Sequence, residues 1–425
     1  MLSQRMKAAA LPTESEGSSK VRHDGMTKVD QLAIFSGRPA FERRLHVGRP
    51  NISNRSRLLE RINDILDRAW LTNNGEYVQE FERRIAEFVG VKHCIAMCNA
   101  TIALEITIRG LGLTGEVIVP SMTFIATAHA LQWQEINPVF CDIDPISLCI
   151  DPHRVEAMIT PRTTGIIGVH LFGRPCDVDA LAEIASKRHL ELIYDSAHAF
   201  GCSTKGRMIG TFGHAEIFSF HATKFLNTFE GGAVVTNDDH LAHKIRLMKN
   251  FGFAGYDNVI YIGTNGKMTE VCAAMGLTSL ECLDELIEVN RRNYHCYKLG
   301  LAQVPGITVV PYDERERCNY QYIVLLIDES VAHLSRDEIL KILEAENVLA
   351  RRYFYPGCHR MEPYRSYLPH AGLLLPVTEK VAAQLLPLPT GTSVDPVDIA
   401  VICDIIRCAV ANAQEVSSRL KESAA

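Results

Sequence analysis

Apolar residues return at helical spacing near the start of the chain. Leu58, Leu59, Ile62, Ile65 and Leu66 recur three and four positions apart, and Phe81, Ile85 and Phe88 resume the pattern after a break. The break is LTNNGEY (71–77), where Asn-Asn-Gly favours a turn. The spacing predicts two helices between about Ser53 and Val89. Beyond them, short apolar runs alternate with helical stretches. The runs are EVIVP (116–120), PVFCDID (138–144), GIIGVHL (165–171), LELIYD (190–195), AEIFSF (215–220) and GAVVTN (232–237), with helices predicted at 122–134, 152–159 and 177–189. Strongly apolar strands separated by helices predict an α/β fold with a largely parallel sheet covered on both faces.

A long amphipathic segment follows at 269–300, with Ala273, Leu277, Leu280, Leu283 and Ile287 on one side. It reads as the connector to a second lobe. That lobe offers ITVVP (307–311) and YQYIVLLID (320–328) as strands, then 334–347 and 396–413 as helices, a pattern suited to a smaller α+β domain. The expected division is a disordered extension over 1–30, a large domain with N-terminal helices over 31–290, and a small C-terminal domain over 291–425.

Composition narrows the function classes. The 425 residues are 47% hydrophobic and 22% charged, with a net charge of −6. That balance lacks the basic footprint of a nucleic-acid binder. Thirteen cysteines are scattered without a CxxC pair, so neither a zinc site nor a disulfide framework is expected. They read as reduced thiols in a cytoplasmic protein. No run approaches the roughly 18 apolar residues of a membrane span. The first residues lack the apolar core of a signal peptide.

The chemistry concentrates between Leu192 and Thr236. Ligands of parallel α/β sheets sit beyond the C-terminal ends of the strands. Asp195 and Lys224 both follow predicted strands, so both can project into one crevice. A lysine amine and a buried carboxylate are what pyridoxal phosphate requires. The amine holds the aldehyde and later moves protons, while the carboxylate favours the charged form of the pyridine nitrogen. By position alone, Lys224 also reads as a solvated lysine, Asp195 as a helix cap or turn former, and His198 as a structural histidine.

Wider motifs bear on that choice. LTNNGEYVQEFE, CNATIALE, EVIVPSMTFIATAHAL, PVFCDID, IDPHRVEAMITPRT, GVHLFGRPCDVDAL, YDSAHAFG, FSFHATKFLNTFEGGAVVTND, TNGKMTEVCAAMGL and LPLPTG occur in this order between about Gly48 and Arg407. In these stretches the chain resembles the DegT/DnrJ/StrS family of sugar aminotransferases, a branch of the fold-type-I pyridoxal-phosphate enzymes.

The resemblance implies roles for individual residues. Lys224 matches the Schiff-base lysine, Asp195 the partner of the pyridine nitrogen, and His198 the residue that contacts the ring hydroxyl. Phe124 matches the aromatic that stacks on the ring. Ala100 and Thr101 match a phosphate-binding turn at a helix N-terminus. Ala100 stands where many members have glycine, a change that a negative φ accommodates. Ser219 matches a phosphate-binding hydroxyl, and Asn265 an asparagine that reaches the phosphate from the other subunit of a homodimer.

The resemblance also implies a reaction. Relatives that dehydrate their substrate carry histidine in place of the lysine, so Lys224 points to transamination. The FSFHATKF form is similar to members acting on 4-keto-6-deoxy sugar nucleotides, which makes His221 a candidate substrate-side residue. The segment YFYPGCHRMEPY (353–364) resembles a family loop near the sugar-nucleotide site. The expected reaction converts dTDP-4-keto-6-deoxyglucose to dTDP-4-amino-4,6-dideoxyglucose, with glutamate or glutamine as amino donor. The rivals are a 3-keto sugar nucleotide or a cyclitol as substrate, and a non-catalytic binding or regulatory role, against which the presence of both Lys224 and Asp195 argues.

Overall fold

The structure, a computed structural model, describes residues 26–422. Its centre is a seven-stranded sheet: β1 His93–Met97, β2 Glu116–Pro120, β3 Asn137–Cys141, β4 Thr163–Val169, β5 Glu191–Asp195, β6 Ala215–Ser219 and β7 Gly232–Thr236. The spatial order is β1-β7-β6-β5-β4-β2-β3. Strand β7 runs antiparallel to both its neighbours, and every other pairing is parallel. The expected mostly parallel sheet is present. Strand β1 is an addition, because the five residues HCIAM carry too short an apolar run to stand out between two helices.

Both sheet faces are buried, which explains why the strands are apolar throughout instead of alternating. Leu192 and Tyr194 of β5 point into one core cluster, and Ile193 between them points into the other. The period-two geometry of a strand thus feeds two layers of helices from one sequence run.

The two N-terminal helices are Arg55–Arg68 and Glu76–Val89. Asn73 and Asn74 take left-handed φ values of 61° and 57° in the turn between them. The second helix is capped from far away. The buried Glu270 carboxylate accepts the Tyr77 and Val78 N–H groups at 3.0 and 2.9 Å. A Cβ on Gly75 would come within 2.4–2.8 Å of that carboxylate, so the approach requires glycine. On the first helix, Leu58 and Ile65 pack inward with Ile62 beside them, whereas Leu59 and Leu66 are exposed.

The connector is two helices, Glu270–Glu281 and Leu283–Gly300. The second links both lobes, because Leu283 and Leu286 belong to the large-domain core and Tyr294 and Tyr297 to the other. The smaller lobe has a three-stranded antiparallel sheet, with Ile323–Ile327 between Ile307–Val309 and Leu385–Leu388. Helices Arg336–Ala345 and Pro396–Ala411 pack on it.

One boundary differs from expectation. The expected large domain begins at residue 31, whereas Leu32, Phe41 and Leu45 pack in the core of the C-terminal lobe. Leu45–His46 even pairs in parallel with Val348–Leu349. Of the expected disordered extension, residues 1–25 lie outside the described residues, while Val29 is buried in the same C-terminal core.

Candidate active site

The C-terminal edge of the sheet opens into a cavity of about 520 Å³. Lys224, Asp195, His198, Phe124, Ala100, Thr101, Ser219 and His221 all line it, together with Tyr322, Tyr353 and Phe354. Asp195 and Ser219 are the last residues of β5 and β6. Antiparallel β7 brings its first residue, Gly232, to the same edge, opposite Ser219 and Met97.

Asp195 is buried at the cavity floor. Its Oδ2 accepts the Thr127 hydroxyl at 2.8 Å and its Oδ1 the Ala197 N–H at 3.2 Å. Thr127 in turn lies 2.9 Å from Thr123, so a short hydroxyl relay fixes the carboxylate. Burial pushes the Asp195 pKa up, against the lowering effect of those hydrogen bonds and of Lys224. Such a carboxylate is suited to a cationic partner. Helix Ala126–Gln132 supplies Thr127, and it starts later than the 122–134 run predicts. The irregular residues before it carry Thr123 and Phe124 to the cavity.

Lys224 follows β6 on a tight turn in which its N–H donates to the His221 carbonyl at 2.8 Å. Its Nζ donates to the Tyr322 hydroxyl at 3.2 Å. Enclosure lowers its pKa to about 8, with Asp195 acting in the opposite sense. An amine near neutrality is a usable base and nucleophile.

His198 is neutral, because burial and Lys224 hold its pKa well below the ordinary value. The Phe172 N–H donates to its Nδ1 at 3.2 Å, which places the ring proton on Nε2. Phe172 holds that N–H in place from a left-handed backbone, φ 55°, a costly conformation for a non-glycine residue.

An anion cradle forms one wall. Helix Ala100–Leu111 starts at the cavity, and its N-cap Asn99 accepts the Ile102 N–H at 2.8 Å. That leaves the Ala100 and Thr101 amides, two of the orphan donors of a helix start, in the lining of the same cavity as Ser219. Ala100 is an ordinary helical residue without positive φ, so its Cβ causes no strain. A Cβ on Gly232 would stand 2.6 Å from the Ala100 nitrogen, and glycine is what lets strand and cradle meet.

At the mouth, Phe124 is 56% exposed and 6.0 Å from Phe354, so it is a cavity wall and not core. His221 is half-exposed, with Nδ1 2.8 Å from the Thr223 hydroxyl and Nε2 3.5 Å from Glu230. Asn265 is the exception among the expected residues. It is exposed on a loop outside this cavity, with its carbonyl 3.9 Å from Cys98 Sγ.

Thr127, Phe172, Tyr322 and Phe354 were not singled out from the sequence. Thr127 lies in the family-like stretch TFIATAHAL and could have been found there. Phe354 lies in the stretch YFYPGCHRMEPY, which resembles a family loop, although its own role is not legible there; Tyr322 arrives from the other lobe and carries no local signal.

Taken together, these groups fit pyridoxal phosphate. The cavity offers an amine, a buried carboxylate in need of a cation, a neutral Nε2–H donor, an exposed aromatic face and a helix-start anion cradle. Among the described residues, no group of three or more His, Cys, Asp or Glu could hold a metal ion, and no helix is long and apolar enough to cross a membrane.

Known proteins resemble this chain in sequence and fold. The profile of the DegT/DnrJ/EryC1/StrS aminotransferase family matches residues 53–407. A dTDP-4-amino-4,6-dideoxy-D-glucose transaminase of Shigella dysenteriae is 39% identical over 324 residues, 76% of this chain and 88% of that one. A GDP-perosamine synthase of Caulobacter vibrioides is 34% identical over 361 residues, 84% of this chain and 95% of that one. The crystal structure of DesI in the presence of its TDP-sugar product superposes with a TM-score of 0.89 at 49% identity, covering 92% of this chain and 99% of that chain. Profile, relatives and superposition span the whole sheet edge that builds the cavity, and the chain belongs to the DegT/DnrJ/EryC1/StrS aminotransferase family of pyridoxal-phosphate-dependent enzymes.

Proposed function

We propose that this enzyme aminates the 4-keto carbon of dTDP-4-keto-6-deoxyglucose, giving dTDP-4-amino-4,6-dideoxyglucose with glutamate or glutamine as donor. The observation that carries the reading is the placement of the Lys224 amine and the Asp195 carboxylate in one cavity, each within electrostatic reach of the other. The names of the Shigella transaminase and of the DesI product complex support the substrate.

When bound, pyridoxal phosphate supplies a reactive aldehyde and an electron-withdrawing ring. Lys224 would hold it covalently, Asp195 would face its ring nitrogen, His198 would donate Nε2–H to its ring oxygen, and Phe124 would cover one face. The Ala100 and Thr101 amides and the Ser219 hydroxyl would take the phosphate. Lys224, once free, takes the proton from the donor's α-carbon and later delivers one to the sugar carbon that receives nitrogen. Asp195 would favour the charged form of the ring nitrogen. His221, at the mouth with Glu230, would meet the sugar.

The reading extends to assembly. Asn265, outside its own cavity, would reach the phosphate of a second copy, making the working unit a homodimer. Exposed Ile52, Leu59, Leu66, Trp70 and Leu71 near the first helix, and Phe251 and Phe253 near Asn265, are apolar surface that a partner would cover. All thirteen cysteines are free thiols, nine of them buried, which suits a reducing cytoplasm.

The test is direct. Borohydride reduction of the yellow enzyme should fix the cofactor on Lys224, and Lys224→Ala should lose that label and all turnover. Mass spectrometry of the product from dTDP-4-keto-6-deoxyglucose and glutamate should show the amino sugar nucleotide. Label on another lysine, or preferential turnover of a cyclitol, would overturn the assignment.

A further inference from the structure

One hydroxyl of the small lobe sits on the amine at the centre of the reaction. Tyr322 immediately precedes the strand Ile323–Ile327, and its Oη accepts from Lys224 Nζ at 3.2 Å. Its ring centroid is 5.8 Å from the same nitrogen. The residue is buried, and its phenol stays protonated well beyond the ordinary range.

The position is pinned from several sides. The Tyr322 N–H donates to Tyr312 Oη at 3.2 Å. The Tyr312 hydroxyl lies 3.0 Å from the Tyr322 carbonyl and 3.1 Å from the Phe172 carbonyl, so it joins the two lobes. Arg174 stacks 4.2 Å over the Tyr312 ring and donates to the Val310 and Pro311 carbonyls. The His198 ring is 4.5 Å from that of Tyr322. Tyr322 is thus held by the domain seam, while Lys224 Nζ ends a flexible four-carbon stem.

A proton carrier changes charge during its work, and its holder must suit both states. A phenol does so: its oxygen accepts from an ammonium, and its O–H donates to the lone pair of a neutral amine. A carboxylate could do only the first.

We propose that Tyr322 is a positioning residue for Lys224, its hydroxyl holding the free amine at the reacting carbon in both protonation states. The proposal rests on Lys224 being the acid–base group. It also gives the small lobe a part in catalysis, since domain orientation sets where the amine rests.

The test is Tyr322→Phe, which keeps the ring and removes the oxygen. A hydrogen bond to a charged group is stronger than one to a neutral group, so the ammonium loses more than the amine. In apoprotein, the midpoint pH for acetylation of Lys224 by acetic anhydride, read by mass spectrometry, should fall by about half a unit to one unit. In enzyme reconstituted with pyridoxal phosphate, kcat should fall about tenfold with KM for the keto sugar within about twofold. An unchanged labelling midpoint overturns the proposal whatever happens to kcat. So does a raised KM with unchanged kcat, which puts the hydroxyl on the substrate. Failure of the Lys224 assignment would show separately, as borohydride label on a different lysine of the wild type.

Discussion

The two halves of the cavity are built on opposite plans. The large-domain half is polar and charged: Asp195, Lys224, His198, Ser219 and the Ala100–Thr101 amides, several of them set at strand ends or a helix start. The half that faces it is aromatic, with Tyr322, Tyr353 and Phe354 from the small lobe and its loop. Phe354 stacks on Phe172 with rings 1° from parallel and on His198 at 14°. Buried charge needs fixed partners, and the edge of a sheet covered on both faces supplies them. Ring recognition needs shape and a flat surface, which Tyr353 and Phe354 can supply, while Tyr322 is the member of this half that reaches the Lys224 amine. The comparison teaches that turnover should depend on the first half and on the Tyr322 hydroxyl that reaches into it, and substrate fit on the remaining rings of the second.

The largest effect tests the charged half. Asp195→Asn keeps the volume and the Thr127 hydrogen bond but removes the charge. We expect kcat to fall on the order of 10²–10³-fold, the scale of a preorganised electrostatic group in a water-poor site. Apoprotein stability should move the other way. Burial raises the Asp195 pKa above its unfolded value, so the folded state binds more protons than the unfolded one in that window, and stability falls as pH rises through it. At neutral pH the bare carboxylate therefore costs stability, and the asparagine variant should melt higher as apoprotein while gaining less from added cofactor. Calorimetry of apo and loaded protein checks both signs. A variant that melts lower as apoprotein would break the claim that this half is arranged for chemistry at the expense of the fold.

The same division separates what could be read from the sequence. Asp195, His198, Ser219, His221 and Lys224 lie within one run of thirty residues, at strand ends that apolar patterning alone can mark. Tyr322 meets Lys224 from 98 residues away, and within YQYIVLLID it reads as one more strand residue. Phe172 is a core phenylalanine in any pattern, and nothing in GVHLFGR announces its left-handed φ. Leu32, Phe41 and Leu45 were recognisable as apolar, but apolar character does not say which of two cores a residue joins. Leu59 and Leu66 share the spacing of Leu58 and Ile65 and yet face outward, where a second copy would lie under the dimer proposal. Local motifs and periodicity were legible; contacts made by the folded chain across its lobes were not.

An intermediate effect belongs to the aromatic half. Phe354→Ala removes a buried ring that touches Phe124, Phe172, His198 and Tyr353. Truncating a buried phenylalanine costs about 3 kcal/mol or more where the site cannot collapse, so chemical denaturation should show a clear loss. The milder Phe354→Leu should fold well. Its KM for the sugar nucleotide should rise several-fold, with kcat within about threefold, since no proton or charge is touched. A kcat loss matching that of Asp195→Asn would erase the distinction between the halves.

The smallest effect sharpens the charged half from within. Thr127→Val is nearly isosteric and deletes the 2.8 Å bond to Asp195 Oδ2, while the Ala197 N–H still serves Oδ1. A hydrogen bond to the ionised form lowers a carboxyl pKa, so its loss lets burial raise the Asp195 pKa further. A bond to a charged group contributes about 1.5 kcal/mol or more, but the relay through Thr123 is also released, and we expect kcat to fall five- to tenfold. The acid limb of the kcat–pH profile should move toward neutrality, because the carboxylate is now lost at higher pH. A drop in kcat with an unmoved acid limb would mean that Thr127 orients the helix carrying it instead of tuning the charge, and this part of the polar half would then be held by packing, as Phe354 is.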